Sequence, residues 1–318
     1  GKVTAEWLMT GHINEDIFNY DIKRFQRFHS EINFIKNRIT ETLGDLYGMH
    51  WPFKQHKTSR NIKITQYYNQ QKKAGACFGV SGGYERPMWF ALNGEKPEYK
   101  YSYGIQNWFK SAKYETINCR ENVGLFDLTP FSKFEIKGEK AHNELQKICT
   151  ANIKNEVGKC TYTQMLNNDG GIETDLTVVC IEKNYFRIIS GAATRERDKF
   201  HINKHLSNDL KLNDITDEYS VLGLFGPKSR DLISNISKDN FSNSEFKFST
   251  GKYINIEGIK VWAQRLSYVG ELGYELYILN SNSEKIFNII SKEGEKYNLA
   301  HCGMHAMDIM RMESGFLH

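Results

Sequence analysis

The chain has 318 residues, with Lys+Arg 42 against Asp+Glu 38 and a formal net charge of +4. That length allows two domains or one large one with a well-buried core, and so small an excess of basic charge, without a basic block, argues against nucleic acid or an anionic membrane as the main partner. No apolar run approaches the ~20 residues of a membrane span, and the six cysteines stand singly, without CxxC or Cys/His clustering, which points to reduced thiols in preference to disulfides or zinc, and to no metal.

In chain order, "GKVTAEWLMTG" reads as a short amphipathic helix bracketed by glycines. "DIFNYDIKRFQRF" and "SEINFIKNRITETLGDLYG" both carry apolar residues at helical spacing. From Gly75 to Phe109 the texture turns Gly- and aromatic-rich and reads as irregular backbone. Its rings (Tyr84, Trp89, Phe90, Trp108, Phe109) form either a cage for a methylated ammonium or, by the plainer reading, a packed aromatic cover. A compact α+β pattern begins near Tyr114. It runs through a helix (Tyr114–Asn122), a strand (Lys133–Gly138), a helix ("KAHNELQKICTANI"), a hairpin from Tyr162 to Ile181, a strand ("YFRIIS") and a helix ("TRERDKFHINKHL"). Then come a strand ("YSVLGLFGP"), a helix ("KSRDLISNI"), strands within Tyr253–Leu279, a helix (Ser283–Tyr297) and a last helix ("GMHAMDIMRMESGF"). This order predicts α+β layers of mixed sheets with packed helices, in preference to a doubly wound parallel sheet.

Asp175 is the odd residue of the hairpin. Aspartate is depleted in strands, yet two-residue alternation puts this one on a face with Thr177, Val179 and Ile181, where partial desolvation is expected. Its plain role would be to cap the amides of the "NNDGG" turn.

Six pieces, in order, carry a resemblance: "VGLFDLTPFSKFEIKG", "CTYTQMLNNDGGIETDLTV", "GAATRERD", "LGLFGPKSR", "RLSYVGELGYEL" and "AMDIMRMESGF". They resemble the folate-binding aminomethyltransferase family, that of the glycine-cleavage T-protein. The nearest branch is the folate half of the flavin-dependent dimethylglycine and sarcosine dehydrogenases. "GGYERPMWF" resembles the stretch joining their flavin and folate domains, and "GKVTAEWLMTG" the last helix of the flavin domain. The resemblance implies three parts: residues 1–30 as the tail of an upstream flavin domain, 31–113 as a connecting segment, and 114–318 as a folate-binding domain truncated at its end. It implies a piece of a longer enzyme, because relatives continue beyond Leu317. No GxGxxG loop is found, so the resemblance places FAD only in the missing upstream domain, covalently linked in the full-length protein.

Carried over residue by residue, the family's catalytic aspartate falls on Asp175, where a carboxylate would stabilise an iminium-derived cation and move a proton. Glu275 matches the glutamate that grips the pterin, whose two adjacent N–H donors suit a carboxylate. Tyr268 matches a tyrosine that packs on the folate, and Tyr162 is expected across from the Asp175 strand, touching the ligand. Arg311, in Arg-x-Glu with Glu313, would bind folate carboxylates, orient Glu275, or serve a structural salt bridge. Its spacing argues against pairing with Glu313. Glu271 is expected to be exposed, and Met307 replaces an arginine of glycine-cleavage proteins, which favours the flavin-linked branch.

The expected activity is capture by tetrahydrofolate of the one-carbon unit from oxidative N-demethylation of dimethylglycine or sarcosine, giving 5,10-methylenetetrahydrofolate. The expected compartment is bacterial cytoplasm or mitochondrial matrix. Two alternatives stay open: a non-redox folate-dependent demethylase, and a catalytically inactive regulatory relative. The cysteine motif of tRNA-modifying folate proteins is absent from the sequence.

Overall fold

The computed structural model describes residues 1–11, 17, 20–92 and 94–317. The chain opens with α1 (Lys2–Thr10) and α2 (Ile32–Asp45). Between them the helical spacing of Asp16–Phe28 does not become an α-helix: Asp16, Phe18 and Asn19 lie outside the described residues, and the rest forms 3-10 turns at Ile22–Arg24 and Arg27–Ser30. Side-chain capping explains the break. Asp21 accepts the Lys23 N–H at 2.8 Å, and Gln26 and His29 cap the second turn reciprocally, leaving Phe25 extended between them.

After α3 (Tyr68–Lys73) comes a second departure from the expected pattern. The Gly- and aromatic-rich stretch contains a regular antiparallel hairpin, β1 (Ala76–Ser81) and β2 (Tyr84–Phe90), closed by Gly82-Gly83, both at positive φ. That two-residue turn needs glycine for its backbone, and a Cβ on Gly82 would also stand 2.6 Å from the Ala192 carbonyl oxygen. The rings behave as the plainer reading expected: Tyr84, Trp89, Phe90 and Trp108 are buried, only Phe109 is exposed, and Met88, Trp89 and Trp108 pack with Tyr99, Tyr101 and Met304.

The remainder is α4 (Phe109–Glu121) and two sheets. The six-stranded sheet has the order β10 (Gly251–Ile256), β11 (Ile259–Gln264), β12 (Gly273–Leu279), β9 (Tyr219–Phe225), β3 (Val123–Asp127), β13 (Leu299–Cys302), with only the β3–β13 pair parallel. The five-stranded sheet is antiparallel, in the order β5 (Cys160–Leu166), β6 (Ile172–Glu182), β7 (Tyr185–Ser190), β4 (Ser132–Lys137), β8 (Leu212–Asp214). The helices are α5 (Ala141–Ile148), α6 (Arg195–His205), α7 (Ser229–Ile236), α8 (Asn280–Gly294) and α9 (Met304–Glu313).

Alternation along the strands builds three apolar layers. Leu222, Leu224, Leu276 and Ile278 of the six-stranded sheet meet Leu232 and Ile233 of α7 and Ile286 and Ile290 of α8. Phe134, Ile136, Val178 and Ile188 of the five-stranded sheet meet Leu145 of α5 and Ile202 of α6. Between the sheets, Val179 and Ile181 meet Val221, Phe225, Trp262 and Tyr277. The result is helix, sheet, sheet, helix, an α+β fold of mixed sheets as the element order predicts. Strands buried on both faces explain the unbroken apolar run "VVCI".

Two buried carboxylates seat the first hundred residues on this body. Glu115 of α4 accepts the backbone N–H groups of Phe90 (2.6 Å) and Gly303 (2.8 Å). Asp127 of β3 accepts from the Thr65 hydroxyl (2.8 Å), Gln71 Nε2 (3.0 Å) and the Thr129 amide (3.0 Å).

Nearby, His301 lies between the rings of Phe90 (5.4 Å) and Phe287 (5.5 Å), and burial pulls its pKa down to about 4. His305, stacked on Trp108 at 5.2 Å, is lowered to about 4, again chiefly by burial. Both are neutral in the folded chain at a pH where the unfolded chain binds protons. Their stabilisation is therefore complete above the ordinary histidine pKa of about 6.5 and is lost as pH falls toward 4. Urea unfolding at pH ~7 and pH ~4.5 is expected to show a loss of about 2 kcal/mol per histidine. His301→Phe should reduce that pH difference by about one such amount, whereas an unchanged difference would mean His301 is not held neutral by the fold.

Candidate functional site

The hairpin β5–β6 turns at Asn167–Gly171, and the turn is held by Asn167. Its Oδ1 accepts the amides of Asp169 (3.0 Å) and Gly171 (2.8 Å). Asp175 therefore does not cap these amides. It lies across from Gln164, two pairs along from Tyr162 opposite Thr177, and its Oδ2 accepts the Tyr162 hydroxyl at 3.0 Å. Asp175 does share its face with Thr177, Val179 and Ile181, and that face looks into the layer between the sheets. The expected partial desolvation is not found: Asp175 is exposed, because it stands where the apolar layer runs out at the hairpin end.

From the opposite sheet, the loop between β11 and β12 brings Tyr268 to the same place. Burial raises the Tyr268 pKa, Arg311 pulls it down, and Asp175 and Asp308 push it up again, so all three charges act on this one hydroxyl. Tyr162 is raised by burial, then by Asp175, with a smaller contribution from Tyr268. Tyr162, Asp175, Tyr268 and Arg311 are thus neighbours, drawn from both sheets and α9. Tyr268 also stacks on Phe316 at 5.9 Å and donates to the Leu317 carbonyl.

Arg311 does not reach Glu275. Its Nε bonds Asp308 one turn earlier on α9 at 2.8 Å, and its NH1 bonds the Phe316 carbonyl at 3.2 Å. Glu313 pairs with Arg120 (2.7 Å), not with Arg311, as the spacing predicts. Glu271 departs from expectation. It is half-buried and bonded to the same Arg120 at 2.8 Å, because the end of α4 places that guanidinium between the two glutamates. Met307 is buried among the apolar residues of the inter-sheet layer.

Glu275 is on β12, in register with Gln264 of β11 and Gly223 of β9. Its Oε2 accepts from the Tyr277 hydroxyl (2.8 Å) and from Gln264 Nε2 (3.2 Å). Burial raises the Glu275 pKa, and the bonds from Tyr277 and Gln264 oppose that rise. Among the described residues nothing donates to Oε1 and no cation pairs with Glu275. Glu275 adds to the burial that pushes the Cys160 thiol upward, which sets it beside β5 two residues from Tyr162.

Gln264 and Tyr277 escaped the reading of the sequence. Tyr277 was legible in part, since residues two apart on a strand share a face. Gln264 needed the strand register. The acceptors left open are a carboxylate oxygen of half-buried Glu275 on one sheet and the exposed carboxylate of Asp175 on the other, with Tyr162, Tyr268 and Arg311 near Asp175. It suits a flat ligand presenting adjacent N–H donors beside an electrophilic centre. Elsewhere, Glu41, Asp45 and His56 bring one ligand atom each within 4.8 Å, but Glu41 already accepts the Lys57 and Thr58 amides and Asp45 holds Lys54.

Comparison with known proteins gives a match of residues 67–318 to the family model of the GCVT N-terminal domain, and of residues 10–65 to that of the FAD dependent oxidoreductase central domain. The chain is 36% identical to the 4-methylaminobutanoate oxidase (formaldehyde-forming) of Paenarthrobacter nicotinovorans, over 100% of this chain and 39% of that protein. It is 28% identical to the mitochondrial dimethylglycine dehydrogenase of Mus musculus, over 99% of this chain and 36% of that protein. It is 30% identical to the mitochondrial pyruvate dehydrogenase phosphatase regulatory subunit of Mus musculus, over 99% of this chain and 37% of that protein. The chain thus spans under two fifths of the length of these relatives. In fold it is similar to the aminomethyltransferase T of the glycine cleavage system from Bartonella henselae, with TM-score 0.66 and 20% identity over 81% of this chain and 64% of that one.

The division of labour in the hairpin can be measured. Asn167→Ala, which strips two backbone amides of their acceptor, is expected to cost about 1–2 kcal/mol in urea unfolding. Asp175→Ala should stay within about 0.5 kcal/mol of the parent; a larger loss would return Asp175 to a structural role.

Proposed function

The chain belongs to the GCVT N-terminal domain family, whose model covers residues 67–318, and from that membership we propose that it binds tetrahydrofolate and passes to it the one-carbon unit released by oxidative N-demethylation. The product is 5,10-methylenetetrahydrofolate. The amine is a small N-methyl amine acid of the kind named for the relatives, dimethylglycine and 4-methylaminobutanoate, with sarcosine of the same class. The flavin that oxidises it belongs to a covalently linked domain outside the folate-binding fold, a reading supported by the oxidoreductase central-domain match at residues 10–65. Relatives are named mitochondrial, and we assign this chain to a mitochondrial matrix or a bacterial cytoplasm. Among the described residues no helix is long and apolar enough to cross a membrane.

One observation carries the proposal. Asp175 and Glu275, on opposite sheets, are each linked to β5, Asp175 by accepting the Tyr162 hydroxyl and Glu275 by its charge acting on the Cys160 thiol two residues away, and both keep acceptor capacity. Tetrahydrofolate would supply two nucleophilic nitrogens that together take up a methylene group. The chain's own residues do the rest. Glu275 receives the adjacent N–H donors of the pterin, and Tyr268 packs against the ligand. Arg311, already turned by Asp308, meets the ligand's carboxylates. Asp175, oriented by the Tyr162 hydroxyl, would face the cationic carbon and accept one of the two protons lost by the folate nitrogens, the other leaving on the demethylated amine as its bond to that carbon breaks.

A second reading is favoured by the regulatory subunit among the relatives: the fold and ligand pocket kept, turnover lost. The two readings part on chemistry, not on binding.

Glu275→Gln puts a donor against a donor, and titration calorimetry with a reduced folate is expected to show a loss of about 1.5–3 kcal/mol. Glu271→Gln, which alters only the half-buried pair with Arg120, should leave folate affinity unchanged. Equal affinities for parent and Glu275→Gln would remove Glu275 from the site.

Asp175→Asn is nearly isosteric and should separate chemistry from binding in the intact protein. Folate affinity should change by under about tenfold, amine oxidation should continue, and formaldehyde should appear in place of methylenetetrahydrofolate. Loss of a positioned base costs roughly 10²–10⁴-fold in rate. If product partition at saturating folate equals that of the parent, above the background from free formaldehyde, Asp175 takes no part in the transfer. If the parent itself forms no methylenetetrahydrofolate, the regulatory reading stands.

A further inference from the structure

Trp262, Gln264, Glu275 and Tyr277 form a chain of side chains across β11 and β12, on the face that looks into the inter-sheet layer. The role of each atom in it is forced. An indole N–H only donates, so the Gln264 atom 3.2 Å from Trp262 Nε1 is the amide oxygen. That turns the Gln264 amide nitrogen toward Glu275 Oε2 (3.2 Å) and the Tyr277 hydroxyl oxygen (3.3 Å). The Tyr277 hydroxyl, already an acceptor, gives its single proton to Glu275 Oε2 at 2.8 Å. Both donors to Glu275, the Gln264 amide and the Tyr277 hydroxyl, end on the same oxygen of its carboxylate.

We infer that Gln264 and Tyr277 are positioning residues for ligand capture by Glu275: they fix the carboxylate plane through Oε2 and leave Oε1 as the acceptor offered to the pterin donors. This rests on the reading that Glu275 grips the pterin. Neutral donors must do the holding, because the surroundings offer Glu275 no cation. From β5 it faces the Cys160 thiol, and from β9 the bare backbone of Gly223. From β7 comes Arg187, which is committed to Glu135 of β4 at 2.8 Å and lies over the rings of Tyr219 (4.6 Å) and Tyr277 (5.6 Å). Burial acts against the charge on Glu275, and the two hydrogen bonds are what oppose it.

The sign follows. Donors to the ionised form lower a carboxyl pKa, so deleting one raises it. The carboxyl then protonates at a higher pH, and a ligand that needs the charge is lost earlier as pH falls. Tyr277→Phe removes only the hydroxyl and keeps the ring beneath Arg187. Gln264→Leu removes the amide at similar volume. The primary measurement is a ¹³C NMR titration of the Glu275 carboxyl in the ligand-free intact protein, its signal assigned by loss in Glu275→Gln. Calorimetry with a reduced folate across the same pH range is the second.

Both variants are expected to move the carboxyl midpoint to higher pH. Their folate affinity should lie within about threefold of the parent at pH ~8.5 and about tenfold below it at pH ~6, as the loss of one charge-assisted bond implies. Midpoints equal to the parent's in both variants would overturn the positioning role. If Glu275→Gln loses binding while those midpoints stay put, only this inference fails. If Glu275→Gln binds folate like the parent, the pterin reading itself fails, whatever the midpoints do.

Discussion

The packing of two sheets face to face with charged side chains between them is the constraint on which this structure turns. A polar group in such a layer costs several kcal/mol if it is left unpaired. The layer is apolar where Val179, Ile181, Val221 and Phe225 meet, and the charged residues bordering it make hydrogen bonds or ion pairs. Lys133, fully buried, gives its ammonium to the carbonyls of Thr129 (2.8 Å) and Phe131 (2.7 Å), and burial pulls its pKa down to about 7. Arg187 spends two of its nitrogens on one oxygen of Glu135 and its flat face on two tyrosines. Glu275 alone among them is met only by neutral donors, all on one oxygen. Among the described residues none donates to its other oxygen.

The same requirement for satisfied carboxylates explains how the first hundred residues are attached. Glu115 and Asp127 are buried acceptors whose donors come from β2, the start of α9, Thr65 and Gln71. A second network does the same at the surface: Asp217 is shared by Tyr84, Arg195 and Lys63, so the hairpin β1–β2 and the folate-family body are tied by charge as well as by packing. The exposed apolar residues cluster in the segment before this junction, with Ile32, Ile35, Ile39 and Leu43 open along α2. That segment is also where the family assignment changes, at residues 10–65.

Membership of an aminomethyltransferase family does not by itself decide between a transferase and a regulatory relative, since proteins named as each are similar to this chain. In the function proposed above, Glu275 and its donors serve ligand binding, which both would need, and Asp175 serves turnover. Its exposure, its one bond from Tyr162 and its lack of any duty in the turn leave it without a structural purpose, which is the reason to give it a chemical one.

Much of the fold is local and could be read from the chain. The long hairpin, the strand Lys133–Lys137, the amphipathic helices and the layered α+β character follow from periodicity and turn residues, which act over a few positions. The structure departs from that reading where side-chain caps or the surrounding packing override the periodic signal. Two side-chain caps broke an apparent helix near Phe25, and the hairpin at Gly82-Gly83 was hidden among aromatics. The short strands β3, β8 and β13 have too few residues to show a period. For the site, motif resemblance marked Asp175, Glu275, Tyr268 and Arg311 one at a time. Only the structure decided that Arg311 turns to Asp308, that Glu271 joins Arg120, and that Gln264 and Tyr277 stand behind Glu275. Those are choices of register and side-chain partner across strands distant in sequence. A hydrogen bond between β11 and β12, or a charge felt across two sheets, exists only after the chain has folded.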